Sequence, residues 1–247
     1  DKLGSVLIAT GLTALLLAVE RSWWWLLVIG VVVIAVFIRH SLRTTYALVP
    51  AGLLRSKIVM SCSLIGLLIG FVQFAFLTYL PLFSQHIAPQ LNSGLVVVPL
   101  TVLWMTLGAI TGILALRMGS KLMLLIAIVC AIAASLILVV WFAEPALFIA
   151  SALVGAAAGF ALIPALLLAQ QASPLDDIGA ATSTFVLLRN FGGALGAAVT
   201  AVVLAATSVT TSMVMLAFVA AVAVLPLVFV PGKHGDRNLR RSTAASS

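Results

Sequence analysis

The sequence predicts an all-α membrane protein of about eight transmembrane helices, and three observations predict it. Of its 247 residues, 64% are hydrophobic and only 8% are charged, whereas soluble domains carry about 25% charged residues. The mean hydropathy is +1.30. The apolar residues gather into eight runs, at 3–19, 23–38, 58–85, 93–116, 122–142, 146–170, 180–207 and 212–230. Each is near the roughly 20 residues that cross a bilayer, once short and tilted spans are admitted. A net charge of +7 could suit a nucleic-acid partner. The basic residues, however, lie in short clusters between apolar runs and are not interleaved with exposed aromatics, so no nucleic acid is expected as a partner.

Residues 1–40 read as a transmembrane hairpin, turned at Glu20-Arg21-Ser22. Trp23-Trp24-Trp25 then stand at headgroup level, where aromatic belts anchor spans, a reading preferred to a ligand-binding aromatic box. Residues 41–57 carry Arg43, Arg55 and Lys57 and form a cytoplasmic linker lying on the membrane surface. Residues 58–231 hold the other six runs, and 232–247 form a cytoplasmic tail. The chain opens at Asp1 without a basic leader, so no signal peptide is expected and the sequence reads as part of a longer protein.

Lysine and arginine asymmetry orients the spans. With eight crossings both ends share a side, and that side collects Lys2, Arg39, Arg43, Arg55, Lys57, Arg117, Lys121, Lys233, Arg237, Arg240 and Arg241, eleven of the thirteen basic residues. The other side holds Arg21. Both termini are therefore expected in the cytoplasm, in a multi-pass protein of the cell membrane. Polar content sorts the last six spans. The fifth and eighth contain nothing more polar than serine or cysteine, as suits helices facing lipid over much of their circumference. The third, fourth, sixth and seventh carry Gln73, Thr78, Tyr79, Thr101, Trp104, Thr111, Gln170, Arg189 and Asn190 and should face the interior.

The seventh span holds the costliest residue. An arginine at the centre of a span costs roughly 2.5–3.5 kcal/mol on insertion scales, so Arg189 should face protein or water, or snorkel to the headgroups about two turns away. Gly192 and Gly196 stand on one helical face, where a missing side chain lets a neighbouring helix approach to backbone contact. Two spans three apart also look alike: Gly66-x3-Gly70-Phe71 with Pro81 and Gln85 in the third, Gly155-x3-Gly159-Phe160 with Pro164 and Gln170 in the sixth. Crossing in opposite directions, they fit a three-plus-three inverted repeat. Small-xxx-small spacing is also common in any helical bundle.

The end of the fourth span reads Gly112-Ile-Leu114-Ala115-Leu116-Arg117-Met-Gly119-Ser-Lys121. This resembles the loop signature of the major facilitator superfamily, G-x-L-a-D-R-x-G-r-K, with Gly112, Arg117, Gly119 and Lys121 in register as a gating-loop motif. Leu116 replaces its aspartate, so a charge relay built on that carboxylate should be absent. Further landmarks, DKLGSVLIATGLTALLLAVE, Val49-Pro50 to Arg55, FAFLTYLPLFSQ, the Pro99 helix, QQASPLDDIGAATS and LLRNFGGALGAAV, resemble in order those of the fourteen-helix drug:proton antiporter branch, the EmrB/QacA type.

By that resemblance residues 1–40 are the family's central inserted pair, residues 58–231 its C-terminal six-helix domain, and the N-terminal six-helix half lies outside this sequence. The implied activity is proton-coupled efflux of drugs or other small amphipathic or cationic compounds by alternating access. A non-transporting membrane-embedded interaction module, or a parent exporting a metabolite, is the alternative. No cofactor is implied beyond the proton gradient used by the complete protein. The six acidic residues, Asp1, Glu20, Glu144, Asp176, Asp177 and Asp236, all sit at span ends, in loops or in tails. A proton-coupled exporter needs a titratable group inside the membrane, so coupling falls to the half outside this sequence or is absent. His40, His86 and His234 are too scattered for a metal site. With no phosphate-cradling loop or nucleophile motif, the chain is not expected to be an enzyme. Gln73, Tyr79, Trp104, Arg189 and Asn190 are the candidate substrate-cavity residues, each with a competing role in helix-to-helix hydrogen bonding. The lipid bilayer and a small-molecule substrate complete the expected partners.

Overall fold

The computed structural model describes residues 2–20, 24–41, 52–53, 56–87 and 89–232. The turn at residues 21–23, the linker positions Arg43, Val49-Pro50 and Arg55, and the tail from Lys233 onward lie outside the described residues. The principal helices are α1 (Lys2–Glu20), α2 (Trp24–Ser41), α3 (Lys57–Ile87), α4 (Val98–Met118), α5 (Ser120–Val140), α6 (Glu144–Gln171), α7 (Ile178–Ala206) and α8 (Val209–Val222), followed by a short α9 (Val224–Leu227). Six stretches, α3 to α7 and α8 with α9, are long and apolar enough to cross a membrane, while α2 contains a shorter apolar stretch, Val28–Phe37.

Local chemistry sets the boundaries. Asn92 accepts the Gly94 N–H at 3.1 Å to start the 3-10 turn Ser93–Val97 that leads into α4. Pro99 lies in the first turn of α4, where its missing N–H is harmless. The neighbouring Leu100 N–H is satisfied by the Ser151 hydroxyl of α6 at 3.1 Å. Ser208 caps α8 by accepting the Thr211 N–H at 3.2 Å. Pro81 and Pro164 sit inside α3 and α6, tolerable in a membrane where neighbouring helices can satisfy the freed carbonyls.

Helices α3 and α6 form the centre. α3 packs most extensively on α7, α6 on α4 and α5, and α3 and α6 on each other, while α5 also meets α8 and α1 pairs with α2. In the α3–α7 seam, a Cβ at Gly66 would stand 2.7 Å from the Phe185 ring, and one at Gly70 would stand 2.5 Å from the Arg189 carbonyl oxygen. In the α6–α4 seam, a Cβ at Gly155 would collide with the Leu100 carbonyl, and one at Gly159 would stand 2.7 Å from Leu107 Cβ. Both glycine pairs of the suspected repeat therefore receive the partner helix that an exchange of α3 with α6 and α4 with α7 requires. The Thr111 hydroxyl, fully buried, donates to the Gly159 carbonyl at 2.9 Å and ties the second seam.

The expected sorting of spans holds for two of the four interior helices. In α3 and α6, 67% and 61% of the apolar stretch is buried, against 17% in α4 and 22% in α7, less than in α5 and α8. Within this chain α4 and α7 are edge helices. Thr101, Met105, Thr106 and Ile110 lie on the exposed face of α4, and Ser183, Val186 and Asn190 on that of α7. α5 is covered over 44% of its stretch and leaves the rest exposed, as expected; its covered face is built from small residues, including Ala127, Ala131, Ala134 and Ser135, which let it seat closely against its neighbours.

Gly119 also differs from its expected place in an open loop. It is a buried single-residue corner between α4 and α5, with φ 95° and ψ 142°. That region is essentially closed to side chains at a cost on the order of 1–3 kcal/mol. Gly119→Ala should therefore lower the thermal unfolding midpoint of the purified protein by several degrees; an unchanged midpoint would show that the corner relaxes.

Candidate functional site

Arg189 lies eleven residues beyond Ile178, or about 16 Å along α7 at 1.5 Å per residue. That is three helical turns from the start of a helix of 29 residues, which is longer than a ~30 Å hydrocarbon core requires. Its side chain runs sideways to α3 and α4. Nη2 donates to Gln73 Oε1 at 3.0 Å and Nη1 to Asn190 Oδ1 at 3.4 Å. The guanidinium carbon lies 5.6 Å from the centroid of Phe74 and 5.2 Å from that of Trp104, distances at which the ring faces attract a cation.

The sequence builds this arrangement from the backbone outward. Gly70 lets α7 approach α3 at Arg189, and the next turn of the seam is closed by Gly192 and Gly196, where a Cβ would meet the carbonyls of Leu67 and Phe71. Gln73, one turn beyond Gly70, is only 2% exposed, so its amide is held in place. Nε of Arg189 is buried without a hydrogen-bond partner, and no carboxylate of the described residues forms an ion pair with the guanidinium. The charge is thus solvated by one amide, a long contact and two aromatic faces, without being neutralised.

Beside this group opens a cavity of about 530 Å³, lined by Trp104 and Gly108 from α4, Leu162 and Leu166 from α6, and Phe185 and Arg189 from α7, among others. Trp104 and Arg189 are half-buried and Asn190 is exposed. Of the five cavity candidates, Trp104 and Arg189 line the cavity, while Gln73, which is buried, and Asn190 hold the guanidinium without being among the lining residues. Tyr79 does neither. Its hydroxyl donates to the Ala197 carbonyl at 3.0 Å and its ring stacks on Phe83 with centroids 6.3 Å apart, which is a tie between α3 and α7. Gln170 likewise joins α6 to α7 by donating to the Thr182 hydroxyl at 2.8 Å. In the loop motif Arg117 is exposed and Lys121 half-buried, and a Cβ added at Gly112 would make ordinary contact with Ile163 at 3.4 Å. Phe74 was not foreseen from the sequence, although its place beside Gln73, on a helix with glycines facing Arg189, is a signal that could have found it.

Residues 3–197 match the sequence pattern of the Major Facilitator Superfamily. The chain belongs to that superfamily. The superfamily is one of membrane transporters and not of enzymes. Within the superfamily it is 26% identical, over 214 residues, to uncharacterized MFS-type transporters from two strains of Mycobacterium tuberculosis, an alignment covering 80% of this chain and 31% of the relative. It is 25% identical over 215 residues to the aspyridones efflux protein of Neocamarosporium betae, covering 79% of this chain and 38% of that protein. A shorter match, 35% identical over 98 residues, reaches the vacuolar basic amino acid transporter 2 of Saccharomyces cerevisiae, with 34% of this chain and 21% of that one covered. The chain thus spans about a third of the length of the superfamily relatives it matches most fully.

Proposed function

We propose that this chain is the C-terminal part of a proton-coupled exporter of the fourteen-helix drug:proton antiporter branch, moving small amphipathic compounds by alternating access. The observation that carries the reading is Arg189, held inside the span by Gln73, Phe74 and Trp104 beside an open cavity. A charge in a span marks a substrate or ion path by default. In this reading α3, α4, α6 and α7 supply one wall, and an N-terminal six-helix half outside the sequence supplies the other. The exposed faces of α4 and α7 support that division, and the efflux role printed for the relative from Neocamarosporium betae supports export. The charged groups of the described residues other than Arg189 sit at helix ends, among them Glu144, Asp176 and Asp177, so the proton-coupling carboxylate belongs to the other half. A substrate panel tested against the complete protein, in cells lacking other exporters, tests the reading; a complete, well-expressed protein that protects against no compound and loads none into vesicles would sink it.

The same reading places the chain in the cell membrane with both termini in the cytoplasm. Lys57, Arg117 and Lys121 share one face by helix alternation, in keeping with the basic asymmetry. Reporter fusions after Gln90, Glu144 and Ser208 should report outside, and fusions after Arg55, Lys121 and Lys233 inside. A cytoplasmic signal from the Glu144 fusion would overturn the alternation.

A further inference from the structure

Arg189 is the only charged side chain lining its cavity among the described residues. The groups around it orient the guanidinium without cancelling its charge. Gln73 is a neutral amide, Asn190 another, and Phe74 and Trp104 offer only ring faces. A guanidinium carries five N–H donors, of which two find acceptors here, one of them at the long distance of 3.4 Å. A second cation brought beside this group would meet repulsion that a water-poor site strengthens. An oxyanion would meet attraction, and would find a planar fork suited to two oxygens.

We propose, on the reading that this cavity is a transport site, that it recognises amphipathic anions, with a carboxylate or sulfonate on the Arg189 guanidinium and an aromatic or aliphatic body along Trp104, Leu162 and Leu166. The rest of the lining suits such a body. Met105, Gly108, Ala109, Ile163, Phe185 and Val186 complete it with no further charge. The 530 Å³ of space is within the range of roughly 300–1,000 Å³ that takes drug-sized ligands. This narrows the expected substrates: a cationic compound would need a carboxylate from outside the described residues to mask Arg189 first.

The test uses the 247-residue chain in lipid nanodiscs and three probes of one shape: 1-pyrenebutyrate, its methyl ester, and the matching pyrenyl-alkyl trimethylammonium. Energy transfer from the tryptophans to pyrene reads occupancy, the linear, non-saturating part due to probe dissolved in lipid being fitted and subtracted. Pyrenebutyrate should bind saturably and about tenfold or more tighter than either of the others, as expected for a charge-assisted contact. Arg189→Gln should abolish that preference. Gln73→Glu, which sets a carboxylate against the guanidinium and keeps the side chain's size, should do the same and provides the second variant where Arg189→Gln does not fold. Equal affinity for the three probes, preference for the ammonium, or an anion preference that survives both substitutions would overturn the proposal. Transport is not needed for this readout. Anion preference here with no export by the complete protein would sink the transport reading alone, and export of cations with no anion preference here would sink this proposal alone.

Discussion

Gly196→Ala should destabilise the helical domain by about 2–3 kcal/mol, at the upper part of the range for overpacked sites. The added methyl would lie against the Phe71 carbonyl carbon at 2.7 Å and Cα at 2.8 Å, and closer still to the carbonyl oxygen. These are main-chain atoms of α3, so no rotamer change makes room and the two helices must separate. Separation is costly because the same seam holds Gly66 against Phe185, Gly70 against Arg189 and Gly193 against Phe74. Gly179→Ala is the matched control, since nothing lies within 4 Å of its added methyl and alanine is the better helix former by about 0.8–1.0 kcal/mol. Thermal unfolding of the two variants in one detergent checks the pair. A Gly196→Ala midpoint equal to that of Gly179→Ala would remove the seam from the account.

The second large effect is on transport. In the complete protein, Arg189→Lys should preserve expression and lose most activity, about tenfold or more. Lysine keeps the charge and can still lie under an aromatic ring, so folding has little reason to fail. An ammonium on a flexible stem cannot hold Gln73 and Asn190 at once in one plane, nor present two parallel donors to an oxyanion. The guanidinium has both geometries, with 3.0 Å to Gln73 Oε1 and the rings of Phe74 and Trp104 on its faces. Export measured per molecule in vesicles separates this from a loss of yield. Wild-type export by Arg189→Lys would mean that only the charge matters, as it does for an arginine that merely anchors a helix to the headgroups.

The positions of the last six spans, the glycine seams and the polar spot at Arg189-Asn190 were legible in the sequence because each depends on composition within one helix. Twenty apolar residues cannot hide, and a glycine pair four apart marks a close approach whatever approaches it. Which helix approaches is a different kind of information. In a soluble helix the polar face reveals the buried face; in a span the lipid side and the protein side are both apolar, so the sequence could not show that α4 and α7 lie at the edge. Tyr79 was misplaced for a related reason. A tyrosine beside Thr78 in a span needs a partner for its hydroxyl, and nothing in the order of residues says that the partner is the Ala197 carbonyl and not a ligand.

The single-residue corner at Gly119 has a mechanical side. α4 presents its largely exposed face away from the bundle, and α5 is packed into it against α6 and α8. A connection of one residue contains no slack, so a tilt or twist imposed on α4 cannot be absorbed between the helices and is delivered to α5 as torque. The only soft torsions at the joint are those of Gly119 itself, already set at 95° and 142°. Force applied to α4 thereby reaches α5 through the chain itself, with no side chain needed to carry it.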